Sequence, residues 1–260
     1  MTYLVIPDIH GRRFWRKAII NNIGQVDKII FLGDYLDPYG NEIEENPELL
    51  ECKCFGDSCS FLNMLNDIIS LKKNEPDKYI LLTGNHSDSY IWSKFSAATR
   101  TDYRNYEKYY KFFLENLEYF NLVWIEDDVI FSHAGITQEW AKVFCARNDT
   151  EFKSVLETAK ILQNIHIEEG NEKLIHLLGQ ISYYRGGEYN YGSCEWADLR
   201  EHIDINNSMT EIVPKGEDGI YQVFGHTQLI QPIITNKWAC LDCRKGFIFD
   251  TITHECKDCL

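Results

Sequence analysis

One pattern occurs five times along the chain: a short apolar run stops abruptly at a cluster of Asp, Asn, His and Gly. Tyr3 to Pro7 leads into Asp8-Ile9-His10-Gly11, Lys28 to Leu32 into Gly33-Asp34-Tyr35-Leu36-Asp37, and Tyr79 to Thr83 into Gly84-Asn85-His86. Val129 to Phe131 leads into Ser132-His133-Ala134-Gly135, and Ile220 to Phe224 into Gly225-His226-Thr227. Runs this short, rich in Val, Ile, Leu, Tyr and Phe, predict buried strands rather than helices. The polar clusters then lie at strand carboxyl ends.

Helical spacing fills the intervals. Ser60 to Lys72 places Phe61, Leu62, Leu65, Ile68, Ile69 and Leu71 near a three-to-four residue period, and Tyr103 to Leu117 and Glu151 to Ile165 behave similarly. Strands alternating with helices predict an α/β sheet, and ligands in such sheets gather at strand carboxyl ends. Two stretches read as excursions: the acidic Pro38 to Asp57, and the aromatic, glycine-rich Tyr183 to Gly192, which suits a shaped loop near a site.

With 260 residues, no repeat and no Pro/Gly linker, one domain over residues 1–260 is expected. The 26 basic and 40 acidic residues give a charge of -14, which excludes extended contact with nucleic-acid phosphates. Any phosphate must be drawn by a local positive centre. No run of about 18 apolar residues predicts a membrane span, and the opening residues carry no export signal. Nine cysteines, an odd number, suit reduced thiols and a cytoplasmic location.

A single Asp or His after a strand is ordinarily a cap or turn residue. Here five strand ends converge, and His10, His86, His133 and His226 make up half of the eight histidines. Mixed Asp, Asn and His donors suit a catalytic metal site rather than a thiolate one. Asp8, His10, Asp34, Asn85, His133 and His226 are the candidate ligands. Asp8 and His10, at i and i+2 of an extended strand, would point to the same side. The two oxygens of Asp34 make it the candidate bridge between two ions.

These five motifs, in this order from Asp8 to Thr227, resemble the signature of calcineurin-like metallophosphoesterases. The His-Ala-Gly form and Trp196-Ala197-Asp198, similar to the family's Trp-Ser-Asp, resemble the phosphoprotein phosphatase branch, which includes lambda phosphatase and the symmetrical diadenosine tetraphosphatases. The resemblance implies a two-sheet β-sandwich flanked by helices. It implies a first divalent ion on Asp8, His10 and Asp34, and a second on Asp34, Asn85, His133 and His226. Manganese is the expected metal, with Fe, Zn or Ni as alternatives. It further implies that His86 protonates the leaving oxygen, that Asp37 orients His86, and that a metal-bridging hydroxide attacks.

Three positions depart from the pattern. Pro38 stands where an Arg usually follows the Asp of the second motif, so a phosphate-holding cation is missing, and Arg185 is the candidate replacement. Ser87 replaces the Glu that usually follows the third-motif His. Gln228 replaces a His that many diesterase members use as a ligand.

The last 25 residues, 236–260, contain Cys240-x-x-Cys243 and Cys256-x-x-Cys259, twelve residues apart, so either a small zinc ribbon holding a further structural Zn2+ or a terminal hairpin is expected. In the hairpin reading, Cys240 is simply a buried hydrophobe. The leading functional expectation is hydrolysis of a phosphomonoester on a protein or small metabolite. The alternatives are a hydrolase of dinucleoside polyphosphates or other nucleotides, in which the tyrosine-rich loop stacks a base, and an inactive metal-binding module.

Overall fold

Both faces of the motif-bearing strands are covered, which is why their sequences run apolar without alternation. The computed structural model describes residues 1–40, 58–92, 98–204 and 212–259. Residues 41–57, most of the acidic excursion, lie outside that set.

Strands β1 (Thr2–Ile6), β2 (Lys28–Phe31), β3 (Tyr79–Leu82) and β4 (Phe120–Asn121) run parallel in one sheet. A second sheet holds β5 (Val123–Glu126), β6 (Val129–Ser132), β7 (Tyr221–Phe224), β8 (Ile233–Ile234) and β9 (Trp238–Cys240). The hairpin of β10 (Phe247–Asp250) and β11 (Cys256–Asp258) returns to the first sheet, where β10 pairs antiparallel with β1. The sheet orders are β11-β10-β1-β2-β3-β4 and β5-β6-β7-β9-β8.

Alternate side chains divide each strand between two apolar layers. Tyr3, Val5, Ile30, Leu32, Ile80 and Leu82 of the first sheet meet Val129, Phe131, Tyr221 and Val223 of the second. The opposite positions Leu4, Ile6, Ile29, Phe31 and Leu81 join a helix-side core with Trp15, Met64, Leu65 and Ile68.

The helices are α1 (Phe14–Asn22), α2 (Ser58–Asn74), α3 (Asn85–Ile91), α4 (Tyr106–Asn116), α5 (Gln138–Arg147), α6 (Val155–Gln163) and α7 (Glu172–Leu178). Helix α1 packs on β1, α2 on β3 and α6 on β5. The side chains of Thr137, Ser154 and Asn171 cap α5, α6 and α7 by accepting from backbone N–H groups in the first turn. Among the described residues, no helix is long and apolar enough to cross a membrane.

For the site, the register is what matters. Ile6 lies opposite Phe31, and Phe31 opposite Leu81, so three strands end level. In the other sheet Phe131 lies opposite Val223. All five polar clusters emerge from such carboxyl ends.

Candidate metal centre

The turns after the strands are laced to each other. His10 N donates to Asp34 O and Gly11 N to Tyr35 O, both at 2.8 Å. His86 N donates to Asp34 Oδ1 at 2.9 Å, and His226 N to Asp8 Oδ1 at 3.1 Å. His10, Asp34, Asp37 and His226 all adopt positive φ, between 44° and 63°. That conformation is unusual for residues other than glycine and clusters at functional sites. Asp8 and His10 therefore do not project from one strand, as their spacing suggested. Strand β1 ends at Ile6, and the left-handed turn at His10 aims its ring independently of Asp8.

Around His133 the donors face one another. Its Nδ1 lies 2.8 Å from Leu32 O, and a carbonyl can only accept, so Nδ1 carries a proton. Its Nε2 faces Asn85 Oδ1 at 2.9 Å, His226 Nδ1 at 3.1 Å and Asp34 Oδ2 at 3.5 Å. His10 is fixed in the same way: Nδ1 donates to Leu36 O at 2.7 Å, leaving Nε2 3.6 Å from Asp34 Oδ2. Two groups of candidate ligand atoms result, His10 with Asp34 and His86, and Asp34 with His133 and His226. Asp34 belongs to both. Asp8 stands beside them through its bond to His226 N.

His86 opens α3, and its Nδ1 lies 2.8 Å from Asp37 Oδ2. The other Asp37 oxygen accepts from Tyr90 Oη. On the far side of the ring, Arg100 Nη2 lies 3.3 Å from Nε2, while Arg100 Nε donates to Asp37 O at 3.1 Å.

Burial dominates the electrostatics. It pushes the Asp8 carboxyl up, opposed by His133, and pushes the imidazoles of His10 and His226 well below their ordinary range. Asp34 is subject to the same desolvation, but His133, His86 and His10 outweigh it and hold the carboxyl at about 2. His133 alone shifts upward: burial lowers it, and the surrounding Asp34 and Asp8 carboxylates more than compensate. An ionised carboxylate surrounded by imidazole nitrogens and an amide oxygen fits a divalent cation.

A protein-family model described as calcineurin-like phosphoesterase matches residues 1–228. The chain belongs to the calcineurin-like phosphoesterase family. As such it is a metal-dependent phosphoesterase, and it carries two groups of residues that could hold a metal ion. No curated protein matches it significantly. Among solved structures, a cold-active protein-tyrosine phosphatase from a psychrophilic Shewanella species aligns with TM-score 0.59 and 12% identity, over 100% of this chain and 80% of that one. A protein serine/threonine phosphatase from Saccharomyces cerevisiae aligns at 0.50 and 13%, over 93% and 66% respectively. At such identities the likeness is one of fold, the two-sheet arrangement flanked by helices.

Two glycines of this phosphoesterase are explained by space rather than by backbone freedom. A Cβ at Gly84 would run into the Asp34 carboxylate, and one at Gly225 into that of Asp8.

Arg185 sits at the His226 end of the site. It pairs with Asp198 at 2.9 Å and donates to Thr227 Oγ1 at 2.6 Å and His226 O at 3.2 Å. Asp198, of the Trp196-Ala197-Asp198 segment, also caps the short turn Leu199–His202. Several site residues escape a sequence reading. Arg100 and Tyr90 belong to no motif, and Tyr39 lies just past one. Glu195, fully buried, accepts from Thr83 Oγ1 close to Asp88, whose carboxyl burial and Glu195 push well up. Arg12 had a signal, since it follows the Asp8-x-His10-Gly11 motif directly.

The four C-terminal cysteines are divided among three apolar clusters. Cys240 is buried in β9 with Phe224 and Trp238, Cys243 and Cys256 pack against the inter-sheet core, and Cys259 joins the helix-side core. Their segment divides between two sheets. All four are free thiols, and Cys240 Sγ donates to Gly225 O at 3.5 Å.

Proposed function

We propose that the chain is a dinuclear phosphatase that hydrolyses a phosphomonoester, carried on a protein or a small metabolite. Asp8, His10 and Asp34 hold one ion, Asp34, Asn85, His133 and His226 the other, and manganese is the preferred pair. The observation that carries the reading is the cluster at His133, where Nε2, Asn85 Oδ1, His226 Nδ1 and Asp34 Oδ2 converge from four separate strand ends. Imidazole nitrogens, an amide oxygen and a carboxylate oxygen brought together in a buried cluster are the donor set a divalent cation takes. Bound there, two divalent ions supply an activated water at neutral pH and neutralise phosphoryl oxygens.

The remaining work falls to the chain's own groups. His86 donates a proton from Nε2 to the departing oxygen, since its Nδ1 is engaged by Asp37. Asp37, steadied by Tyr90, fixes the ring. Arg100 at the His86 end and Arg185 at the His226 end flank the position of the phosphoryl group and stand in for the arginine that Pro38 displaces.

A hydrolase of dinucleoside polyphosphates is a second reading, favoured by one feature. Tyr183 is 72% exposed in the same short turn as Arg185, which reaches His226, so a base could stack there. Turnover of p-nitrophenyl phosphate, a phosphopeptide and diadenosine tetraphosphate by Mn2+-loaded protein tests both. The main reading expects the two monoesters to be cleaved. Preference for diadenosine tetraphosphate would favour the second, and no turnover of any would overturn both.

A further inference from the structure

Tyr39, two residues past Asp37, is a collecting point for cations. Arg100 Cζ lies 3.7 Å from its ring centroid, Arg12 Cζ 5.7 Å and Arg244 Cζ 5.9 Å. His10 meets the same ring edge-on at 5.6 Å, which puts the group against the metal centre. Gln228 ties it together: with its amide turned so that both ends are paired, it donates to Tyr39 Oη at 3.2 Å and accepts from Arg244. The residue that stands where a diesterase-type ligand was expected thus connects Tyr39 to an arginine.

Backbone strain points to the same two arginines. Arg100 and Arg244 have φ of 66° and 61°, the conformation shared by His10, Asp34, Asp37 and His226. Neither is a residue type that tolerates it readily, and strain of this kind persists where the surroundings over-determine it. Convergence of guanidiniums is also contrary to the protein's overall charge of -14. Buried Asp242, beside Arg12 and Arg244, offsets part of that positive charge.

The two arginines differ in position. Arg100 touches His86 Nε2, so it belongs to the phosphoryl group being cleaved. Arg244 is exposed at the rim, held through Gln228 and Tyr39. Both lie against one ring, so one small substrate can reach both. We propose that Arg244, positioned by Tyr39 and Gln228, forms beside Arg100 a second oxyanion subsite that selects substrates bearing a second phosphoryl group beside the one hydrolysed. This rests on the phosphoesterase reading above for its first subsite.

The test compares propyl phosphate with propane-1,3-diyl bisphosphate, which differ only in the second phosphoryl group. Wild-type protein is expected to prefer the bisphosphate in kcat/KM by about 10-fold or more, the size of a charge-assisted contact. Arg244→Gly, which suits the left-handed backbone, should reduce that preference by about 10-fold, and Arg244→Lys should recover part of it. Equal kcat/KM for the two substrates in the wild type, or an unchanged preference in Arg244→Gly, overturns the subsite. Absence of turnover with either would instead count against the metal reading. Calorimetry then decides the subsite separately: tighter binding of the bisphosphate than of propyl phosphate, lost in Arg244→Gly, supports it, and equal binding overturns it.

Discussion

His86 Nδ1 lies 2.8 Å from Asp37 Oδ2, and Tyr90 donates to the other oxygen of the same carboxylate. This arrangement leaves Nε2 as the only ring atom able to serve a leaving group. Burial pushes the Asp37 carboxyl up, and its bond to His86 pulls it back. His86→Ala should slow turnover of p-nitrophenyl phosphate by roughly 100-fold or more while metal content stays unchanged. Asp37→Asn should fall by a smaller factor, on the order of 10-fold, chiefly in kcat. Steady-state kinetics beside elemental analysis checks both, and full activity in His86→Ala would remove its assigned role.

Gly225 touches the Asp8 carboxylate closely enough that no Cβ fits. Gly225→Ala should displace Asp8 or the strand end, lowering stability by about 1 to 3 kcal/mol and weakening metal uptake. Urea denaturation and metal titration measure the two effects. A variant with wild-type values for both would contradict the close approach.

The wall behind the site carries a pH dependence of its own. His202 is fully enclosed, its ring against Phe224 with centroids 4.7 Å apart and its Nε2 3.3 Å from Ala134 O. Burial pulls its pKa down to about 4. The unfolded chain, with an imidazole near 6.5, binds the extra proton first, so stability is lost as pH falls from about 6.5 to about 4. Between pH 7 and 5 this amounts to roughly 2 kcal/mol. His202→Phe should flatten that part of the stability profile in paired urea melts, and an identical slope in the two proteins would contradict it.

What the chain reveals before folding depends on how local each feature is. The five strands and their terminal clusters are legible because an apolar run and the residues that stop it are adjacent. The roles of Gly84 and Gly225 are not, since the carboxylates that exclude a Cβ come from distant turns. Arg100 carries no motif at all: its place is set by Tyr39, Asp37 and His86, which come from other strand ends. The cysteine spacing at residues 240–259 does not reveal that β9 and β11 enter different sheets. Asp8 and His10 follow their motif in identity but not in geometry, since left-handed φ at His10 is not encoded by periodicity.

Metal binding should stabilise the fold, because an ion held by Asn85 and His133, 2.9 Å apart at separate strand ends, binds the folded chain and not the unfolded one. Mn2+ at a hundred times its Kd contributes about 2.7 kcal/mol per site, roughly a 5 to 10 °C rise in Tm for a chain of this size. Asn85→Ala should reduce that rise. Thermal melts with and without Mn2+ and EDTA read it directly, and a Tm indifferent to both would argue against a cation at this position.

The central claim is two ions sharing Asp34. Elemental analysis of Mn2+-reconstituted, desalted protein tests it most directly, alongside Asp34→Ala. The expected result is two ions per chain in the wild type and fewer than one in the variant. A single ion in the wild type, or two retained without Asp34, would contradict it.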